Sequence, residues 1–407
     1  MNTRVRVLFS LVAVLATLGL GACGHYTCKA TFGASTCTPA GGGVGSGSGG
    51  GGGATISAAN ATALVYYMSG SSIKGAGIGG STFAPLTGYT APSVSTSFAD
   101  IMLVTKKYVY VPTGNSTVEG FSIARTTGAL TAIPGSPFTA TGSGGTTDGA
   151  WTDPQGRFLF VGSEGSGDIW VFQINATTGA LTETAGSPFT SAGAVLLSSA
   201  DIMTVDASGK FLYVGQGSPS SGVAAFSIDQ TSGALTPVPG SPFTNMGVAQ
   251  IRASLTGEFL LGVAAIQDSL SATDTHIHVF SINPTTGVPT EVTGSPFTTT
   301  SAPFDFAVSP NGKFVYTVGT TSGTTSVGAI EGFQMDLTSG ALTKLSGSPF
   351  SSLPTAAQCM FDQSGADLVC SGGSSSLFVL GASTSNGSLT NGATFSSSGG
   401  FPFGVTD

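Results

Sequence analysis

The sequence predicts an all-β fold: a seven-bladed β-propeller of four-stranded antiparallel blades, closed by pairing the C-terminal strand with the first blade. Three observations lead there. A Gly-Ser-Pro-Phe unit recurs at Gly135, Gly186, Gly240, Gly294 and Gly347, at intervals of 51, 54, 54 and 53 residues. The Phe that opens the preceding segment (Phe121, Phe172, Phe226, Phe280, Phe333) stands 17 residues before the Phe of its unit in all five copies. Weaker copies ending near Thr87-Gly88-Tyr89 and Thr394-Phe395 bring the count to seven. Residues 54–407 then divide at roughly 51 residues per repeat, which suits one four-stranded blade.

Composition agrees. Only 8% of residues are charged, but 40% are apolar and 62 are Gly, so a core is available and disorder is excluded. Such a chain suits many short strands joined by tight turns. A net charge of −8 with only 12 Lys and Arg excludes a nucleic-acid partner.

The strands follow from the pattern. Strand A is exemplified by residues 305–309, and a Pro-Asn-Gly-Lys turn leads to strand B at residues 314–318. Asn311-Gly312 is a strong hairpin signal, echoed at Gly156, Gly209 and Gly365. Strand C, such as residues 279–283, alternates apolar and polar residues. Asn175, Asp229, Asn283 and Asp336 suit an Asx-type start to the turn into strand D. The recurring Phe and Ile of strand C are core residues between blades.

A ring needs its ends fastened. Residues 401–407 read as a strand A with no strand B after it, and residues 63–67 read as strand B of the first blade. Their pairing removes the exposed edges. Residues 55–58 offer an alternative inner strand. Rival folds fit worse: immunoglobulin-like modules need about a hundred residues, and a WD-repeat propeller needs more Trp than Trp151 and Trp170.

Residues 1–22 read as an export signal: Arg4 and Arg6, an apolar run from Val7 to Leu20, then Leu20-Gly21-Ala22-Cys23. Those four residues resemble a bacterial lipobox, with Cys23 as the acylated new N-terminus. Ordinary signal cleavage beside an incidental Cys is the alternative. Residues 23–53 form a tether, Gly/Ser-rich from Gly41 to Gly53, with a reach of about 20 Å. The expected location is the bacterial cell envelope, held to the membrane by lipid, and the expected assembly is a monomer. In an oxidising compartment Cys28 can pair with Cys37, and Cys359 with Cys370, which stand opposed across Ser364-Gly365. Buried free thiols are the alternative.

The C–D segment never changes length, whereas the B–C and D–A connections vary. Both emerge on one face, the usual binding face of a propeller. Asp148, Asp201, Gln250, Asp305 and Gln358 stand where strand A begins, with Arg252 nearby. Glu119, Trp170, Ala224, His278 and Glu331 stand two residues before the strand C Phe. These residues form a candidate polar mouth for a sugar-like ligand or a cation; solvated strand ends around a channel are the bland reading. His276 and His278 share a strand face but lack further ligands, so no metal is expected. Ser is too frequent for a Ser–His–Asp pattern to be informative.

The Gly-Lys-Phe-Val-Tyr and Gly-Lys-Phe-Leu-Tyr-Val hairpins at Gly312 and Gly209, each with a Thr-Ser-Gly-Ala-Leu-Thr or similar turn downstream, resemble the seven-bladed lactonase family, which includes 6-phosphogluconolactonase-like proteins. The resemblance spans residues 60–407. It implies hydrolysis or closure of a lactone ring on the channel face, with no required cofactor. Family members often carry Pro-Arg-His or Pro-His where strand A begins; this chain has Asp and Gln there. Two functions follow. One is a lactone hydrolase using Asp305, His278, Glu119 or Glu331 as acid–base groups. The other is a non-catalytic propeller that binds a glycan, polymer or partner protein.

Overall fold

The computed structural model describes residues 54–95, 102–142, 146–164, 166–190, 203–215, 222–256, 258–265, 274–320, 329–372, 376–396 and 403–406. The signal, the tether and Cys23, Cys28 and Cys37 lie outside them.

Seven antiparallel sheets form the described fold. Blades are numbered here in chain order, and strands A to D run outward from the axis. Strands A are Phe403–Thr406 in blade 1, Leu103–Val104, Thr146–Thr152, Met203–Val205, Gln250–Ala253, Ala302–Val308 and Gln358–Phe361 in blade 7. Each packs against strand A of the next blade from blade 3 round to blade 2, while strand B of blade 2 meets strand A of blade 3. In blade 6, B to D are Phe314–Thr320, Glu331–Met335 and Leu342–Lys344.

The ring closes as the pattern predicts. Phe403–Thr406 pairs antiparallel with Ala63–Ser69, Tyr66 opposite Gly404. Residues 55–58 are not the inner strand: Ile56 makes a parallel bridge to Leu86 at the outer edge, its N–H donating to the Pro85 carbonyl. The inner place is already filled, and Ile56 gains burial against Ala61 and Leu86 instead.

The core lies between blades, as expected from the strand C aromatics. Phe158, Phe160, Ile169 and Val171 of blade 3 pack on Met203, Val205, Leu212 and Phe226 of blade 4. Strand B tyrosines add a latch between blades. The hydroxyls of Tyr66, Tyr110, Tyr213 and Tyr316 donate to the carbonyls of Gly128, Gly179, Gly287 and Gly387 in the C–D turn of the next blade, at 2.7–2.9 Å. Burial pushes all four phenols well above their usual range. Those turns need Gly: at Gly179, with φ +75°, a Cβ would stand 2.5 Å from the Tyr108 ring.

The repeated Gly-Ser-Pro-Phe unit has a structural job. After strand D leaves the sheet, the Ser hydroxyl takes over as acceptor for a strand C N–H. Ser136, Ser187, Ser241, Ser295 and Ser348 accept from Gly120, Val171, Ala225, Val279 and Gly332 at 2.9–3.1 Å. The Phe then rejoins strand C nearer its start, as Phe138 does opposite Val118. The outer edge is thus broken into two short pieces, which discourages edge-to-edge association.

Two tests follow. Ser241→Ala leaves the buried Ala225 N–H without its acceptor, and denaturant unfolding is expected to show a loss of about 1–3 kcal/mol. The Asx turns give a pH signature. The Ser232 N–H, then the Ser232 hydroxyl and Thr231 N–H, hold the Asp229 carboxyl below its ordinary range. At Asp336 the Ser339 N–H leads, followed by the Thr338 N–H and the Ser339 hydroxyl. Because the folded values are depressed, this stabilisation is present above the unfolded pKa and fades as pH falls through the folded one. Asn175 and Asn283 accept the equivalent N–H bonds without a charge. Asp229→Asn and Asp336→Asn are therefore expected to leave stability near neutral pH unchanged and to flatten its fall below about pH 4.

Candidate functional site

The polar groups of strand A gather at the end of blades 5 to 7 from which the B–C and D–A connections leave. Strand alternation puts Gln250 and Arg252 on one face of their strand. A register shift between Pro303 and Asp305 marks the start of the neighbouring strand. Asp305 is fully buried and forms the hub. Its Oδ1 accepts from Gln250 Nε2 at 2.7 Å and from Arg252 Nη2 at 3.0 Å. Its Oδ2 accepts from the Cys359 N–H at 3.0 Å, so one carboxylate ties three blades together. The Arg252 guanidinium also lies 5.8 Å over the Phe306 ring, and its side chain keeps 11% of its exposure.

Blade 7 completes the group. Cys359 and Cys370 are bonded as a disulfide across strands A and B, with a Cα–Cα distance of 4.2 Å, as the hairpin spacing predicts. Gln358 stands beside Cys359 and faces Ser371 in register. Three oxygens nearby on these strands, Gln250 Oε1, Thr320 Oγ1 and Ser371 Oγ, are buried with no hydrogen-bond partner among the described residues. The Gln250 amide oxygen calls for an O–H or N–H donor, and each of the two hydroxyls for a donor or an acceptor. Thr320 and Ser371 escape a sequence reading because Ser and Thr are everywhere in this chain; only their place at the end of strand B marks them.

The second series of candidates does not join this group. Glu119, Trp170, His278 and Glu331 sit on strand C, third from the axis, and three of them make hydrogen bonds that fasten the D–A connection entering their own blade. Glu119 Oε1 accepts the Ser95 N–H at 2.8 Å. Trp170 Nε1 donates to the Thr141 carbonyl at 2.7 Å. Glu331, almost fully buried, accepts the N–H groups of Thr300 and Ser301 at 2.7 and 2.9 Å and pairs with Lys344 at 2.8 Å. His278 stacks on Phe280 and bonds Glu291 at 2.9 Å, with its ring against Gly247. Among the described residues no hydrogen bond joins any two of Glu119, His278 and Glu331. Their shared offset from the strand C Phe reflects a loop-holding task. Strand order could have signalled this, since strand C is two strands from the channel.

His276 bonds Asp274 at 2.6 Å, and no group of three His, Cys, Asp or Glu among the described residues is placed to hold a metal. The Asp148 side chain and all of Asp201 lie outside the described residues. Two surface hollows lie away from the hub: about 410 Å³ beside Ala54, Phe83 and Phe395, and about 300 Å³ beside Asp206, Lys210 and Glu258.

With this geometry in place, comparison with known proteins is informative. Residues 237–361 match the family model of the lactonase, 7-bladed beta-propeller. Over that stretch the chain is similar to the lactonase-type propeller. The matched segment runs from strand D of blade 4 to strand A of blade 7, so it contains Gln250, Arg252, Asp305, Gln358 and Cys359. Solved structures extend the likeness over most of the chain. A Bacteroides fragilis protein assigned as a 6-phosphogluconolactonase is 16% identical with a TM-score of 0.60, covering 85% of this chain and 98% of its own. The periplasmic gluconolactonase of Pseudomonas aeruginosa is 15% identical at a TM-score of 0.57, covering 85% and 99%. A Lactobacillus plantarum protein is 22% identical at 0.52, covering 72% and 82%. At such identities the likeness establishes the fold. Among curated proteins nothing matches the sequence significantly.

The anchoring task of Glu331 is testable. Glu331→Ala strands the Thr300 and Ser301 N–H groups and is expected to destabilise the protein by about 2 kcal/mol. Glu331→Gln keeps an acceptor and is expected to cost less than half of that in the same denaturant series; equal losses would assign the effect to the charge instead.

Proposed function

We propose that this lactonase-type propeller opens lactone rings at the channel end of blades 5 to 7, as an exported protein tethered to the cell envelope through Cys23. The observation that carries the reading is the coincidence of the matched segment, residues 237–361, with the Gln250–Arg252–Asp305 network. The Leu20-Gly21-Ala22-Cys23 sequence and the Gly/Ser tether support the location, as does the likeness to a protein named as periplasmic.

In this reading water adds to the ring carbonyl carbon, the bond to the ring oxygen breaks, and a hydroxy acid leaves. The Arg252 guanidinium donates to the carbonyl oxygen as negative charge builds on it. Asp305 holds that guanidinium in place and is itself occupied: three donors fill the positions a general base would use. Gln250 orients the pair.

A second reading is favoured by a different observation. Glu119 and Glu331 are spent on loops and His278 on Glu291, so these three candidates do not form an acid–base pair with one another. A non-catalytic propeller holding a glycan, polymer or partner protein on its variable face suits that arrangement.

Turnover separates the two. The full chain, purified in detergent, is expected to hydrolyse members of a lactone panel above the buffer rate in a pH-stat. Arg252→Gln is expected to lower kcat/KM at least about tenfold. No turnover across the panel sinks the enzymatic reading and leaves binding.

A further inference from the structure

We propose, building on the channel-face reading above, that the ligand is an uncharged, polyhydroxylated molecule and that its phosphorylated counterpart is excluded by charge. The inference rests on where every cation of the propeller is.

Nine Lys and Arg residues follow the tether, and all nine are among the described residues. Lys106, Lys107, Lys210 and Lys313 belong to the A–B turns at the far end of the ring. Two more are committed at that end. Arg125 donates to the carbonyls of Ala58 and Ala61, and Arg157 pairs with Asp153 and bonds Gln230. Lys74 is on strand C of blade 1, and Lys344 is held by Glu331 on strand D of blade 6. Among the described residues Arg252 alone stands on a strand A, and its charge is matched by the fully buried Asp305.

Phosphate recognition uses several charge-assisted donors, from Arg, Lys or exposed backbone N–H groups. Here a phosphate approaching Arg252 meets the Asp305 carboxylate on the same guanidinium, in a poorly solvated place where like charges repel strongly. Glu119 and Asp274 add negative charge at the same end of the blades, where Glu331 is matched by Lys344. The buried amide oxygen of Gln250 points the same way: it accepts hydrogen bonds, which hydroxyl groups of a ligand can donate and a phosphate dianion cannot, whereas the Thr320 and Ser371 hydroxyls can pair with either a donor or an acceptor.

Inert ligands separate this inference from the question of turnover. Titration calorimetry of the full chain with glucitol and with glucitol 6-phosphate is expected to show the phosphate binding at least about tenfold more weakly at low salt. Raising the salt is expected to narrow that gap, because it screens a repulsion; attraction would make the gap move the opposite way. Asp305→Asn removes the carboxylate charge beside Arg252 and is expected to narrow the gap as well. Should that variant fail to fold, the salt series on the unaltered chain decides alone. Phosphate binding as tight as the polyol overturns the proposal, and so does the absence of binding by both. A retained polyol preference without hydrolysis of any lactone sinks the enzymatic reading and keeps this one.

Discussion

The pairing of Phe403–Thr406 with Ala63–Ser69 is the contact on which the rest depends. A four-stranded blade is apolar on both faces and cannot bury them alone. It needs a neighbour on each side, so a linear array of blades always leaves two faces and an edge exposed. Only closure removes them. Arg125 secures the joint from blade 2 by holding the carbonyls of Ala58, Ala61 and Thr62, so the chain's entry is fixed beside its exit.

Closure also sets the division of labour along the repeat. Hydrogen bonds that recur from blade to blade, the Ser of Gly-Ser-Pro-Phe to strand C in five and the Tyr hydroxyl to the next C–D turn in four, connect the outer edge and the far end of the ring. They leave the beginning of strand A free of repeat-imposed identity. That is where residue types differ between blades: Gln250, Asp305 and Gln358 in blades 5 to 7, against Gly149 at the same register in blade 3. Asymmetry in a symmetric scaffold is built at such positions.

Much of this was legible in the sequence. The interval of the Gly-Ser-Pro-Phe unit gave the blade, and residues 401–407 and 63–67 gave the closure, because both are local patterns. The Cys359–Cys370 pair was legible from its symmetry about a hairpin turn. The nearness of Gln250 to Asp305 was legible too, since equal phase on adjacent inner strands places side chains side by side, whereas Arg252 was legible only as a nearby guanidinium. What was not legible was the occupancy of each polar group. Alternation assigns Glu331 to a face of strand C; it says nothing of the Thr300 and Ser301 N–H groups that fold over that face, or of Lys344 reaching back to it. Those contacts depend on loop paths, which have no period.

The scarcity of charge explains where chemistry could reside at all. Taking an ion out of water costs several kcal/mol unless a partner and further hydrogen bonds compensate it. Asp305 with Arg252, Glu331 with Lys344 and Asp153 with Arg157 are each matched, and each carboxylate also accepts backbone N–H groups. Two of these pairs hold turns or loops in place. The Asp305–Arg252 pair differs in three respects: it stands on the innermost strands, it spans blades, and oxygens buried with no hydrogen-bond partner among the described residues stand on its own strand A (Gln250) and on strands B of blades 6 and 7 (Thr320, Ser371). A structural tie needs the carboxylate and its donors. It does not need Gln250 Oε1, Thr320 Oγ1 and Ser371 Oγ, which are buried with no hydrogen-bond partner among the described residues, and that surplus of polar atoms is what supports the proposal of a hydroxyl-bearing ligand here.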